Sequence, residues 1–163
     1  TLEEIDKISD YYKDFIFCGQ LSDPVHHPKF HKILEMLYEK KIQVEVHNAA
    51  SQRSKDFYIK CFKAHPTARW VFGIDGLPEE SNLYRINQDG EKLFNIMIES
   101  KKYLKHRPVW QYIVFSYNEN HIEEAKSKAK LNKVDFMLVQ SSRWDGDNDP
   151  FRPKNKEVSL NAI

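Results

Sequence analysis

The sequence predicts an α/β fold in which about five parallel strands are interleaved with helices, as in part of a TIM-type (β/α) barrel. Three observations carry this reading. Apolar residues switch repeatedly between helical spacing and short strand-like runs. The segments that follow the strands are rich in small and polar residues, whereas the connections that precede them are short and charged. The length, 163 residues, falls short of the about 250 of a complete eight-fold barrel.

Leu2, Ile5, Ile8 and Tyr12 fall at helical spacing and lead into the apolar run Phe15-Ile16-Phe17-Cys18, the first strand. Phe30, Ile33, Leu34, Leu37 and Tyr38 mark one face of the second helix, and Ile42 to Val46 alternates as a strand does. A third helix covers Ser54 to Ala64, followed by a strand from Arg69 to Ile74. A long helix follows near Asp89 to His106, carrying Leu93, Ile96, Met97 and Leu104, and Tyr112 to Phe115 is a buried strand. Ile122 to Leu131 is amphipathic, and Phe136 to Val139 closes the series. The domain is expected to span residues 1–144; residues 145–163, polar, Pro-containing and aperiodic, read as a tail or truncated linker. Trp70, Phe72, Tyr112 and Phe115 are core residues, and Cys18 reads as a small, buried, inert apolar side chain.

Composition removes several classes. Hydrophobic residues make up 40% and charged residues 30%, with ten Phe, eight Tyr and three Trp, so the chain can bury a core. A net charge of +1 gives no electrostatic footprint for nucleic acid or an anionic membrane. No apolar run approaches the roughly 20 residues of a bilayer span. Two cysteines, Cys18 and Cys61, without a CxxC, supply neither a disulfide scaffold nor a Cys-only metal site. A cytoplasmic setting is the default expectation, and the start at Thr1 reads as a fragment or processed product.

In parallel sheets of this kind, chemistry sits on loops at the carboxyl ends of the strands. Those loops are Gly19 to Pro28, His47 to Arg53, Asp75 to Arg85, Ser116 to Asn120 and Gln140 to Arg143. Two metal readings of the sequence fail. His27 and His31 are four apart but lack the glutamate of H-E-x-x-H. Asp145 to Asp149 opens like a calcium loop, but Pro150 stands where glycine is required and Lys156 where the bidentate glutamate is required. No G-x-G-x-x-G or P-loop follows a strand, which disfavours a flavodoxin-like or Rossmann nucleotide binder.

One set of loops carries a resemblance. Phe17-Cys18-Gly19-Gln20-Leu21-Ser22-Asp23-Pro24, running on to His27-Pro28, resembles the second-strand motif of radical S-adenosylmethionine (radical SAM) enzymes, closest to the subgroup related to SPASM-type maturases. Val71-Phe72-Gly73-Ile74-Asp75-Gly76-Leu77, with Tyr84-Arg85 after it, is similar to the family's fourth-strand segment. Val114 to Asn120 looks like its fifth-strand segment, His121-Ile122-Glu123-Glu124-Ala125 like the following helix start, and Ser142-Arg143-Trp144 like its sixth-strand end. The likeness covers about residues 1–144. The family's CxxxCxxC triplet, which binds a 4Fe–4S cluster after the first strand, is not in this chain, so that strand and the cluster loop are expected to lie upstream. Asn48-Ala49-Ala50-Ser51 departs from the family's third-strand motif, and Gly73 stands where a serine is usual.

The resemblance implies S-adenosylmethionine as cofactor, with Gly19, Gln20, Ser22, Asp23, Ser51, Asp75, Arg85, Ser116 and Asn118 as its binding residues. Gly19 would let the chain turn close to the cofactor, Asp23 would attract the methionine ammonium, and Arg85 would pair with the methionine carboxylate. Asn118 and Ser116 would reach ribose or adenine edges; Asp75 is expected to orient its loop. Asn120 is expected to cap the helix after it. With a 4Fe–4S cluster from an upstream segment and an electron-donor protein, the whole enzyme would form a 5′-deoxyadenosyl radical and abstract hydrogen from an unknown peptide or small molecule. The alternative is a non-catalytic S-adenosylmethionine-binding or scaffold module derived from that fold. No metal ligand, nucleic-acid partner or membrane partner is expected of the chain itself.

Overall fold

The computed structural model describes residues 1–19 and 22–158. It alternates helix and strand: α1 (Leu2–Ser9), β1 (Asp14–Cys18), α2 (Phe30–Glu39), β2 (Gln43–Asn48), α3 (Lys55–Ala64), β3 (Arg69–Gly73), α4 (Gly90–Ser100), β4 (Val109–Ile113), α5 (Ile122–Leu131) and β5 (Asp135–Val139). Short 3-10 turns at Pro24–His26 and Ser81–Leu83 lie in the loops after β1 and β3.

All five strands are parallel and neighbour one another in chain order. An order without reversal has no switch point, which sets this sheet apart from flavodoxin-like and Rossmann windings. Same-handed crossovers place successive helices on one face, and the core bears this out. Val44 and Val46 of β2, Trp70 and Phe72 of β3, and Trp110 and Tyr112 of β4 pack with Phe30, Leu34, Phe62, Leu93 and Met97 of the helices. Trp70 is the hub on the β2–β3 side, edge-on to Phe62 at 4.9 Å and near Phe30, Tyr58 and Phe72. Trp110 does the same farther along, against Phe94 at 5.0 Å and Phe136 at 5.5 Å. Residues of the opposite strand parity, including Cys18, His47, Val71, Gln111 and Met137, form the other face, and none of them belongs to this core cluster.

Local chemistry explains most element ends. Thr1 and Glu4 form a capping box on α1, Ser54 caps α3 and Asp89 caps α4. Helices α2 and α5 both stop at a left-handed lysine, Lys41 (φ 59°) and Lys133 (φ 53°). The next amide in each case turns back on the helix, Ile42 N–H to Leu37 O at 2.9 Å and Val134 N–H to Ala129 O at 3.1 Å.

Four expectations need correction. Helix α4 ends at Ser100 rather than near His106, because residues 101–104 tighten into turns whose amides bond Ile98, Glu99 and Ser100 carbonyls. The fourth strand starts at Val109, just after Pro108, and its ladder ends at Ile113. Asn120 does not cap α5; its N-cap is His121, without a side-chain bond. Cys18 is exposed, since its strand lies at the sheet edge and its side chain falls on the face opposite the helices. Cys61 is the buried one.

Residues 145–158 fold back over the carboxyl end of β4. Phe151 stands edge-on to Tyr84 at 5.2 Å and Phe115 at 6.1 Å, and Asn155 N–H donates to Glu119 at 2.9 Å. Among the described residues no helix is long and apolar enough to cross a membrane.

Candidate functional site

At the carboxyl end of the sheet, one polar side chain ties each of the first three strand ends to the next. Between β1 and β2 it is Asp23. Its Oδ1 accepts from Val25 N–H at 3.1 Å, capping the 3-10 turn, and its Oδ2 accepts from Ala49 and Ala50 N–H at 2.6 and 3.1 Å. The Asn48 amide, oriented to donate, lies 2.9 Å from Asp23 Oδ1 while its oxygen accepts from the buried Tyr58 hydroxyl. Burial drives the Tyr58 hydroxyl well above the usual phenol range, so it stays a donor.

Between β2 and β3 it is Gln88, which sequence reasoning missed. Its Nε2 donates to Ala49 O at 2.6 Å and Gly73 O at 2.9 Å, and its oxygen accepts from Ser81 Oγ. Only its position just before the cap of α4 marks it in the sequence. Between β3 and β4 it is Asp75, whose side chain is fully buried. Oδ1 accepts from Ile113 N–H at 3.0 Å, Oδ2 accepts from Arg85 Nε at 2.6 Å, and the Asp75 carbonyl accepts from Tyr117 hydroxyl at 2.7 Å. Burial raises the Asp75 carboxyl above its usual range, opposed by the Arg85 charge and the Ile113 bond. Asp75 thus orients the loop after β3, through backbone and Arg85.

Arg85 is the group these ties leave available. Its side chain is 26% exposed. Nε is committed to Asp75, and no described residue accepts from its two terminal nitrogens. The guanidinium lies over Gly73, where an added Cβ would stand 3.1 Å from Nη2. A side chain at this position, where the resembling motif has serine, would press on the guanidinium by a few tenths of an ångström. Gly19 is constrained differently: a Cβ there would stand 2.3 Å from the Ser22 carbonyl oxygen, so only glycine permits the turn into Asp23.

The remaining expected residues are placed as follows. Ser22 Oγ is exposed, 3.4 Å from His26 Nδ1. Ser51 is buried and its Oγ accepts from Asp89 N–H at 2.8 Å, tying the loop after β2 to the start of α4. Ser116 Oγ donates to Pro150 O at 2.6 Å, and its N–H donates to Phe151 O at 2.9 Å, so the returning chain engages both of its donors. Asn118 is sealed: its oxygen accepts from Phe115 N–H at 2.8 Å and its amide donates to Ile113 O at 3.0 Å. Gln20 lies outside the described residues. The structure therefore brings Asp23, Ser51, Asp75 and Arg85 to one end of β1–β4 and commits all but Arg85 to other parts of the protein.

The chemistry on offer here is anion capture. A fork of two guanidinium nitrogens, held in place by a buried carboxylate, suits a ligand carboxylate or phosphate. Among the described residues no three His, Cys, Asp or Glu side chains are grouped as metal ligands. A groove of about 990 Å³ lies at the opposite end of the sheet, lined by Ile16, Tyr38, Lys41, Glu45, Arg69 and His106 among others. It shares no residue with the loops that hold the polar ties.

No protein-family model matches the chain, and no curated protein matches it in sequence. The fold is similar to that of Streptococcus suis SuiB, known from a crystal structure, at a TM-score of 0.76 and 14% identity. The match covers 94% of this chain and 36% of SuiB, so the chain spans about a third of that protein. A likeness at this identity speaks for the fold.

Proposed function

We propose that this chain is the central part of a radical SAM enzyme's partial (β/α) barrel and holds S-adenosylmethionine at the carboxyl end of the sheet. The observation that carries the reading is Arg85. Its Nε rests on the buried Asp75 carboxylate, its terminal nitrogens are left for a ligand, and the guanidinium lies close over Gly73. A carboxylate of the size and charge of a methionine carboxylate fits that fork. The unreversed strand order agrees with a barrel-type winding.

The residues present fit the amino-acid end of such a cofactor better than its nucleoside end. Asp23 holds two loops together, Asn118 is sealed and Ser116 is bonded to the returning chain, which leaves the purine to backbone edges and to whatever displaces residues 150–151. When bound beside a reduced 4Fe–4S cluster, S-adenosylmethionine supplies a hydrogen-abstracting radical. The cluster's cysteines would come from polypeptide other than this chain, which carries only Cys18 and Cys61. Within the chain, Asp75 orients Arg85, Arg85 binds, and the tied loops exclude water.

Calorimetric titration of the chain with S-adenosylmethionine tests the site. Saturable binding weakened at least tenfold in Arg85→Lys, which keeps the charge and loses the fork, supports it. Expressing the chain with its native flanking sequence, reconstituting it with iron and sulfide without oxygen, and assaying 5′-deoxyadenosine tests the activity. An assembled cluster with no cleavage would overturn it. The committed state of Asp23, Ser116 and Asn118 favours a second reading, a scaffold derived from this fold, and a folded chain that binds no S-adenosylmethionine would select it.

A further inference from the structure

Beside Arg85, aromatic rings form a wall at the carboxyl end of β3 and β4. Tyr84 stacks on Phe115 at 4.1 Å, and Tyr117 lies nearly parallel to Phe115 at 5.7 Å. Wall and guanidinium share one anchor: Arg85 Nε bonds the Asp75 carboxylate, and the Tyr117 hydroxyl donates to the Asp75 carbonyl. Phe151 stands edge-on to Tyr84, Phe115 and Tyr117, at 81°, 75° and 84°. It belongs to residues 145–157, which hold no helix or strand, and whose turn is capped from within by Asp149, accepting from Asp145 N–H at 2.9 Å and Phe151 N–H at 2.8 Å. Trp144 and Val158 anchor the ends of this segment, against Phe115 and the core. Between them it is held by Ser116, bonded to the Pro150 and Phe151 carbonyls, by Glu119, which accepts from Asn155 N–H, and by Gln140, which donates to Glu157 O. Gly146, at φ 80°, has no atom within 4 Å of where a Cβ would stand, so the backbone there is free of packing. Trp144 is 8% exposed and its Nε1–H lacks an acceptor, so the closed arrangement leaves a buried donor unsatisfied.

We propose that residues 145–157 are an autoinhibitory strap: Phe151 rests on the aromatic wall where the planar ring of a ligand held by Arg85 would stack, and the ligand binds as the strap withdraws. The ligand is S-adenosylmethionine on the reading of Arg85 given above, on which this regulation rests. A row of π faces beside an anion fork suits a molecule that joins a carboxylate to a purine, since aromatic faces accept any base. Phe151 is the group that such a purine has to replace. The apparent affinity of the site is then its intrinsic affinity reduced by the fraction of molecules whose strap is withdrawn. The edge-on contacts of Phe151 and the bonds at Ser116 and Glu119 set that fraction.

Two variants loosen the strap without altering Arg85. Phe151→Ala removes the ring from the wall, and Glu119→Ala removes the acceptor for Asn155. In calorimetric titrations, Phe151→Ala should bind S-adenosylmethionine about tenfold more tightly than wild type, and Glu119→Ala more tightly by a smaller factor. Thermal melts check that both variants are folded. A second readout needs no ligand. The Ser116 amide is bonded to Phe151 O, whereas the adjacent Phe115 amide is bonded to Asn118 Oδ1 at 2.8 Å. In hydrogen exchange followed by NMR, the Ser116 amide should exchange faster than that of Phe115, faster again in both variants, and faster in wild type once S-adenosylmethionine is added. Binding that is unchanged or weaker in Phe151→Ala, or a Ser116 amide that S-adenosylmethionine slows, would overturn the strap and leave the reading of Arg85 standing. No binding by wild type or either variant, with the Ser116 amide still opening ahead of Phe115, would overturn the reading of Arg85 and the inhibition with it.

Discussion

Replacing Arg85 with alanine isolates the buried pair on which the candidate site depends. The Asp75 carboxylate is fully buried and the guanidinium 2.6 Å away is 26% exposed. Removing one partner of a buried pair costs about 3–5 kcal/mol, and the partial exposure of Arg85 puts the expectation at the lower end, about 3 kcal/mol. For a domain of this size about 2–4 °C of Tm accompanies each kcal/mol, so a fall of about 6–12 °C is expected at neutral pH. The cost has a signed pH dependence. Burial already holds the Asp75 carboxyl above its ordinary 3.8, and losing the arginine raises it further. Between the unfolded and folded values the native state binds the extra proton, so stability is greatest below 3.8 and is lost as pH rises through the raised folded value. Arg85→Ala should therefore lie closest to wild type in acid and farthest at neutral pH. Urea denaturation of wild type, Arg85→Ala, Asp75→Asn and the double variant from pH 4 to 8 provides the measurement. Because Asp75→Asn leaves no charge to strand, the double variant should be more stable at pH 7 than Arg85→Ala alone. A pH-independent Arg85→Ala cost below about 1 kcal/mol, or a double variant showing the sum of the singles, would refute the reasoning.

The remaining predictions concern other parts of the fold. His65 is buried, with Nε2 3.0 Å from Ile42 O and Nδ1 3.3 Å from Thr67 Oγ1, and burial lowers its pKa. Its contribution to stability should be complete above its ordinary 6.5 and be lost as pH falls through the lower folded value; His65→Gln should flatten that slope in denaturation series. Lys41→Gly and Lys133→Gly should each stabilise by about 0.5–1 kcal/mol in urea titrations, because both lysines hold a left-handed backbone. Gly19→Ala should destabilise by about 1–3 kcal/mol, since its Cβ meets backbone rather than a movable side chain; a neutral result would show that the turn before Asp23 can open.

The alternation of helices and strands was legible because it rests on short-range periodicity. Phe30, Ile33, Leu34 and Leu37 repeat at helical spacing wherever the helix packs, and all four are buried. Cys18 was misread for the same reason. Phe15-Ile16-Phe17-Cys18 looks like a run buried on both faces, but a run's composition does not say that its strand is the edge, and Ile16 is 65% exposed there. Edge position is a property of strand order, which depends on contacts between segments distant in sequence. The site divides the same way. Asp23, Asp75 and Arg85 could be singled out through the family resemblance of the loops that follow the strands. Their partners could not, because Asp23 bonds Ala49, and Asp75 bonds Ile113, only once β1 lies beside β2 and β3 beside β4. Gln88 shows the limit most plainly: only its place before the cap of α4 marks it locally, yet it bridges the ends of β2 and β3. A side chain that joins two strands is identified by the register between them, and so is the face on which each residue falls: a one-residue slip of β1 would turn Cys18 to the helix side and Phe17 to the open face.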